Sequence, residues 1–225
     1  MSNTSTSLQS LYDKTKRHVL GTLESRAEIK STNAWLAIHQ SSKDYLITYE
    51  SSGLVVAING SGTLGLEHNQ CKQAAEATAY IVSQGGVVLN GGRNSGIMKA
   101  SSDASHGKVI GVVFPELKAE SSDKGVLAVV GDPHPRIELL STCAPIMMIF
   151  RGGLGTFMGL MRAIVHLRNR SYHPDQLPQM VFVSTYWIGM LTTMMNLGVL
   201  PKEFIQELHF FDHVDEIIKK IPKKT

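Results

Sequence analysis

Short runs of consecutive apolar residues alternate with longer amphipathic segments over most of the chain. The runs lie at residues 54–58, 86–89, 109–113, 126–130, 146–150, 180–183 and 208–211. Apolar residues at helical spacing predict helices at 70–83, 97–105, 136–143, 156–168, 187–197, 201–207 and 212–221. Because parallel strands need helical crossovers, this alternation predicts a single-domain, doubly wound α/β protein with a mostly parallel, Rossmann-like sheet and helices on both faces.

The first 50 residues do not follow this alternation. Apolar residues at mixed helical spacing predict an N-terminal helical arm over residues 8–29. Residues 35–38 and 45–49 have the composition of strands, so they either form a hairpin or lead into the core. We therefore expect an arm and a possible hairpin in residues 1–50 and one nucleotide-binding domain in residues 51–225.

Three glycine-rich turns follow predicted strands, at residues 59–62, 91–96 and 152–156. The carboxyl ends of parallel strands share one edge of a sheet, where α/β proteins bind ligands. The third turn also opens a predicted helix, whose first backbone N–H groups attract anions, and glycine allows an anion to approach them closely. The turns therefore predict a phosphate site, although such turns can also serve only the close packing of strand against helix.

Composition narrows the classes of function. The formal net charge is only +3, and the lysines and arginines are scattered without aromatic interleaving, so nothing indicates nucleic acid. Two cysteines, and nine histidines outside zinc-ligand spacing, favour a reduced compartment and no metal site. No apolar run approaches the ~20 residues of a membrane span. We therefore expect a cytoplasmic protein without a membrane partner.

Two blocks of residues resemble a known family. Residues 91–98, Gly-Gly-Arg-Asn-Ser-Gly-Ile-Met, are similar to a G-G-G-x-x-G-[LI]-M block, and residues 152–156, Gly-Gly-Leu-Gly-Thr, to a P-G-G-x-G-T-x-x-E block. Both blocks belong to the LOG ("LONELY GUY") family of nucleoside 5′-monophosphate phosphoribohydrolases, often labelled lysine decarboxylases. The resemblance covers roughly residues 54–221. It implies a Rossmann-like fold, cleavage between base and ribose 5-phosphate, no cofactor or metal, and a homodimer or larger homo-oligomer with the site near the subunit interface.

The resemblance also implies site residues. Arg136 stands at the spacing of the arginine in the family's M-x-x-R-K block and is the candidate catalytic residue, and His134 also has a family counterpart. The predicted phosphate- or nucleotide-binding residues, taken from the resemblance and from the three turns, are Gly60, Ser61, Gly91, Gly92, Asn94, Gly96, Met98, Arg151, Gly152, Gly153, Gly155 and Thr156.

The chain departs from the family at positions that matter for catalysis. The lysine after the arginine is Ile137, and the motif glutamate is Gly159. Glycine neither orients water nor carries charge, so this loss should lower the rate by several powers of ten. The chain is therefore expected to bind a nucleoside 5′-monophosphate or similar ligand with hydrolysis weakened or lost. The alternatives are an active enzyme that uses Asp103, Glu138 or a neighbouring subunit's carboxylate, and a dimeric scaffold or regulatory protein.

Two cations near the turns have two interpretations each. Arg151 takes the place of the family's proline, and its bidentate geometry suits a phosphate. Lys99 follows the second turn. Either residue could contact an anion at the sheet edge or form a salt bridge at the surface.

Overall fold

The computed structural model describes residues 15–20, 22–25, 34–40, 45–51, 54–130, 133–169 and 178–221. The strands, in chain order, are β1 Thr15–Leu20, β2 Thr22–Ser25, β3 Ala34–Gln40, β4 Tyr45–Ser51, β5 Val55–Asn59, β6 Val87–Asn90, β7 Val109–Val113, β8 Val126–Val129, β9 Ile146–Ile149, β10 Met180–Ser184 and β11 Leu208–Phe211. The helices are α1 Asn69–Ser83, α2 Gly96–Ala104, α3 Pro133–Thr142, α4 Leu154–Asn169, α5 Ile188–Asn196, α6 Lys202–Gln206 and α7 Val214–Ile218. Short 3-10 helices lie at Pro115–Glu120 and Thr185–Trp187.

The main sheet has eight strands in the order β11-β10-β9-β5-β6-β7-β8-β2. All neighbouring pairs run parallel except β2, which pairs antiparallel with β8 at one edge. From β5 the chain builds outward through β6, β7 and β8, then returns to place β9 on the other side of β5. The chain order therefore switches direction between β5 and β9, which is where an open α/β sheet binds its ligand. This is the Rossmann-like α/β architecture that the sequence predicted.

Both faces of the sheet are buried, which explains the unbroken apolar runs. Val55 and Ala57 of β5 belong to one core cluster, together with residues of α3 and α4. Val56 and Ile58 belong to a second cluster, together with residues of α1 and α7. Because successive strand residues point to opposite faces, a strand covered on both sides needs apolar residues at every position.

The N-terminal region departs from its prediction. The expected helix over residues 8–29 is wrong where the structure describes that range, because β1 and β2 lie there. Thr15, Val19 and Thr22 are β-branched and favour strands, and β2 pairs with the edge of β8. β1 pairs with β4 instead, in a separate antiparallel sheet of order β1-β4-β3.

The hairpin alternative holds for β3 and β4, which pair antiparallel from Ala34 opposite Ser51 to Gln40 opposite Tyr45. The rest of the first 50 residues lies outside the described part of the chain. The division of the chain at residue 50 stays a prediction. No helix among the described residues has the length and apolar character that crossing a membrane requires.

Candidate functional site

Backbone hydrogen bonds join the three glycine turns at one edge of the sheet. The N–H of Ser61, in the first turn, donates to the carbonyl of Arg151 at the start of the third turn, with an N–O distance of 2.8 Å. The carbonyl of Ser61 accepts from the N–H of Ile97, just after the second turn, at 2.9 Å. The first turn therefore bridges the other two, as expected for turns at the carboxyl ends of neighbouring parallel strands.

A cleft of about 250 Å³ opens where the turns meet. Its wall combines small residues, two arginines and a few apolar side chains, and none of the lining residues is acidic. The lining residues are Asn59, Gly60, Ser61, Gly62, Thr63, Arg93, Met98, Leu117, Arg136, Ile137, Leu140, Gly153, Gly155, Thr156 and Gly159.

Arg136, on α3, is held against the backbone of the sheet edge. Its Nε donates to the carbonyl of Val112 at 2.8 Å, and its Nη2 donates to the carbonyl of Gly91 at 2.9 Å. A Cβ atom at residue 91 would collide with this guanidinium, so glycine is needed there for Arg136 to reach the sheet. Burial, followed by the nearby charge of Arg93, lowers the pKa of Arg136 to about 10. The side chain therefore stays charged at neutral pH in a position where an anion would stabilise it.

Arg93 brings a second guanidinium to the cleft. Its Nη2 forms an ion pair with Glu120, whereas its Nε is buried and has no hydrogen-bond partner within the described part of the chain. A buried N–H group without a partner is unfavourable, so the chain pays a free-energy cost to hold Arg93 at this place. In the block that resembles the LOG family, Arg93 stands where that family has its third glycine.

Helix α4 begins at the same cleft. The N–H of Phe157 donates to the carbonyl of Gly153 at 2.9 Å, so the helical hydrogen bonds start at Gly153. The N–H groups before Phe157 have no acceptor within the helix, and a helix of 16 residues adds the positive end of its dipole there. Gly153, Gly155 and Thr156 line the cleft at this helix start.

Asn59 lies next to the position of the missing glutamate. A Cβ atom at residue 159 would lie 2.9 Å from the side-chain nitrogen of Asn59, so the absence of a side chain at Gly159 makes room for this amide. Ser141 Oγ would be 3.8 Å from the same Cβ, and it donates to the carbonyl of Ile137 at 2.7 Å. The space beside Gly159 is therefore lined by neutral groups.

The two acidic residues considered as replacements for the glutamate are engaged elsewhere. Asp103 forms an ion pair with Lys99 at 2.9 Å, one turn apart on α2. Glu138 accepts a hydrogen bond from Arg162 Nε at 2.6 Å, between α3 and α4. Neither residue lines the cleft. Of the two interpretations of Lys99, the structure therefore shows a salt bridge within α2.

The structure brings together seven of the predicted site residues in the wall of the cleft, and Gly91 lies directly behind Arg136. These seven are Gly60, Ser61, Met98, Arg136, Gly153, Gly155 and Thr156. The predicted residues that do not line it are Gly91, Gly92, Asn94, Gly96, Arg151 and Gly152. The guanidinium carbon of Arg151 instead lies 5.0 Å from the ring centre of Tyr186, and the Asn94 N–H donates to the carbonyl of Glu120. The structure therefore does not bring Arg151 to the cleft.

Sequence reasoning did not select Arg93, Asn59 or Thr63, although all three line the cleft. The sequence could have indicated Arg93, because a cation inside a glycine turn is well placed to bind an anion. Asn59 lies in the first glycine turn and Thr63 directly follows it, but the sequence does not indicate the direction of their side chains.

Solved structures with the same fold include proteins with different ligands. The molybdenum cofactor binding protein from the phototrophic bacterium Rippkaea orientalis is 20% identical, with a TM-score of 0.59 over 75% of this chain and 95% of that protein. The molybdenum cofactor carrier protein from Chlamydomonas reinhardtii is 18% identical, with a TM-score of 0.55 over 75% and 96%. DNA processing protein A from Helicobacter pylori, described for its single-stranded DNA binding, is 12% identical, with a TM-score of 0.52 over 75% and 80%.

At these identities the structures show a shared fold. No curated protein matches the chain significantly. A family model described as the SLOG cluster4 family matches residues 53–169, which is more than half of the chain and includes all three glycine turns. This protein therefore belongs to the SLOG cluster4 family, on the LOG-like Rossmann fold.

Proposed function

We propose that this protein binds a phosphorylated small molecule, a nucleoside 5′-monophosphate or a similar ligand, and that its N-glycosidic hydrolysis of this ligand is weakened or lost. The observation that supports this proposal is the composition of the cleft. Two guanidinium groups and the start of a helix line it, and no acidic side chain is among its lining residues. Such an arrangement attracts a phosphate and lacks the carboxylate that glycoside hydrolysis requires.

The electrostatics favour a bound dianion. Arg136 and Arg93 repel one another, and the burial of Arg136 makes its charge costly without a counter-charge. Glu120 pairs with Nη2 of Arg93 from outside the cleft wall, and about a third of the Arg93 side chain remains exposed. A phosphate between the two arginines and the start of α4 would accept charged hydrogen bonds from both sides.

The remaining wall suits the organic part of such a ligand. Leu117, Ile137 and Leu140 give the cleft an apolar side next to the arginines. In the family's pattern a lysine stands at position 137, so the chain has exchanged a charge for an apolar surface there. Planar rings such as a purine gain stability against such a surface.

A phosphorylated cofactor is a second ligand to test. Two proteins with the same fold are named for the molybdenum cofactor, and their identity of 18 and 20% supports the fold alone. The features of this cleft that recognise phosphate would serve either ligand. The two candidates differ in the ring that the apolar wall must accept.

We also infer a homodimer or larger homo-oligomer in the cytoplasm, as the family resemblance implies. Helix α4 carries exposed apolar side chains at Leu154, Met158 and Val165, on the element whose first turn lines the cleft. Burial of such side chains against a second copy would be favourable. Sedimentation velocity tests this, and a monomer at micromolar concentration would contradict it.

Two measurements on one preparation test the proposed function. Isothermal titration calorimetry measures binding of AMP, GMP, CMP, UMP and molybdenum cofactor, and chromatography after incubation with each nucleotide measures free base. Binding without base release supports the proposal. Release of base would contradict the loss of hydrolysis and favour an active phosphoribohydrolase. If neither effect occurs, the scaffold alternative is favoured.

A further inference from the structure

We propose that Asn59 recognises the part of the ligand next to the phosphate, and that Gly159 is a glycine because it makes room for this amide. The inference rests on the proposed function. It assigns a specificity role to Asn59, whose amide lies beside Gly159, the position of the glutamate in the LOG pattern.

Asn59 is a mostly buried residue whose side chain faces the cleft without a hydrogen-bond partner among the described residues. Only 7% of the residue is exposed, and it lines the cleft. Its backbone carbonyl accepts a hydrogen bond from the Phe150 N–H at 2.8 Å, which fixes the end of β5 beside the third turn. Among the described residues, no group forms a hydrogen bond with its side-chain amide. An amide that lines a cleft and is not paired within the chain is available to a ligand.

The chemistry of an amide suits a sugar or a base. Its nitrogen donates two hydrogens and its oxygen accepts, so it can bind hydroxyl groups and ring nitrogens. A carboxylate at this place would repel a phosphate nearby, whereas an amide carries no charge. The exchange of the glutamate for this neutral pair therefore favours retention of an anionic ligand.

The position of Asn59 also separates it from the phosphate. Gly159 follows Gly155 by four residues along α4, which corresponds to about 6 Å along the helix axis. A phosphate at the start of α4 would thus place its attached sugar, rather than its own oxygens, near Asn59. The arginines and the helix start bind the phosphate, and Asn59 binds the sugar or base attached to it.

The test compares two probes on the same variants. Calorimetry measures the affinity of wild type, Asn59→Ala and Asn59→Ser for inorganic phosphate and for the tightest binder among AMP, GMP, CMP and UMP. We expect both variants to bind the nucleotide about five- to tenfold more weakly and inorganic phosphate as well as wild type does. Asn196→Ala, an exposed asparagine on α5, is the matched control and should change neither affinity.

Gly159→Ala provides a second route to the same result. Its Cβ would lie 2.9 Å from the Asn59 nitrogen and displace the amide, so it should also weaken nucleotide binding selectively. Circular dichroism confirms that each variant is folded. A merely structural role of Asn59 would weaken both probes together, and that result would overturn the inference.

The outcomes separate the two proposals. If wild type binds a nucleotide and both Asn59 variants bind it equally well, the inference is wrong and the proposed function stands. If wild type binds none of the four nucleotides, nucleotide binding is contradicted, and the role of Asn59 that depends on it is contradicted too.

Discussion

Arg136 and Gly91 are joined across the edge of the sheet: the Nη2 of Arg136 donates a hydrogen bond of 2.9 Å to the Gly91 carbonyl. With the second bond to Val112, this contact fixes the plane of the guanidinium in the wall of the cleft. The glycine turn thus has a use beyond its own backbone, because it holds a cation in the wall of the cleft.

Arg136→Lys should bind AMP roughly tenfold to a hundredfold more weakly than wild type. Lysine keeps the charge but lacks the planar fork that bonds two carbonyl groups and still faces a ligand. Calorimetry measures the change. Arg168→Lys, an exposed cation at the end of α4, is the matched control. Equal affinity in Arg136→Lys and wild type would remove Arg136 from the site.

Gly91→Ala should lower both stability and AMP affinity. The added Cβ would collide with the Arg136 guanidinium and lie 2.5 Å from Met98 Sδ. Overpacking of this kind costs about 1–3 kcal/mol in the free energy of unfolding. Urea unfolding measures this cost. Gly189→Ala is the control, because a Cβ there would meet no atom within 4 Å. Unaltered stability and binding in Gly91→Ala would contradict the close contact.

Restoration of the motif carboxylate alone should not restore hydrolysis. In Gly159→Glu the Cβ already meets the Asn59 amide at 2.9 Å, so the glutamate cannot enter the cleft without displacing it. We expect no adenine from AMP, measured by chromatography, and a lower melting temperature. The double variant Asn59→Gly with Gly159→Glu relieves the contact and is the comparison for stability. Rapid adenine release by Gly159→Glu alone would show that the site retains the rest of the catalytic apparatus.

His209 should make the fold less stable in mild acid. Burial, followed by the charge of Lys220, lowers the pKa of His209 below its ordinary value. As the pH falls below about 6.5, the unfolded chain takes up a proton more readily than the folded one, so stability is lost. His209→Phe removes this proton and keeps a ring against Phe182, whose ring centre lies 5.3 Å away. Melting temperatures between pH 7.5 and 5 should fall less in the variant, and parallel curves would contradict this.

The sequence was sufficient to predict the central sheet. Strands such as β5 and β9 are buried on both faces, and their unbroken apolar composition follows from that burial. Glycine turns can also be predicted from the sequence, because they depend on the backbone and need few side-chain contacts. The place of the cleft between β5 and β9 follows from these two signals together.

β1, β2 and the directions of side chains were not predictable in the same way. β2 is a strand because it pairs with β8, about 100 residues further along the chain. The local spacing of apolar residues does not indicate that partner. Arg151 lies over Tyr186 and Asn59 lies beside Gly159 for similar reasons. Such contacts join distant parts of the chain, and only the folded arrangement reveals them.

A crystal structure of the protein grown with AMP tests the central claim most directly. We predict the phosphate within about 3 Å of the guanidinium groups of Arg93 and Arg136 and of backbone N–H groups at the start of α4, with the glycosidic bond intact. An empty cleft at saturating AMP, a phosphate bound elsewhere, or ribose 5-phosphate in place of the nucleotide would contradict the account.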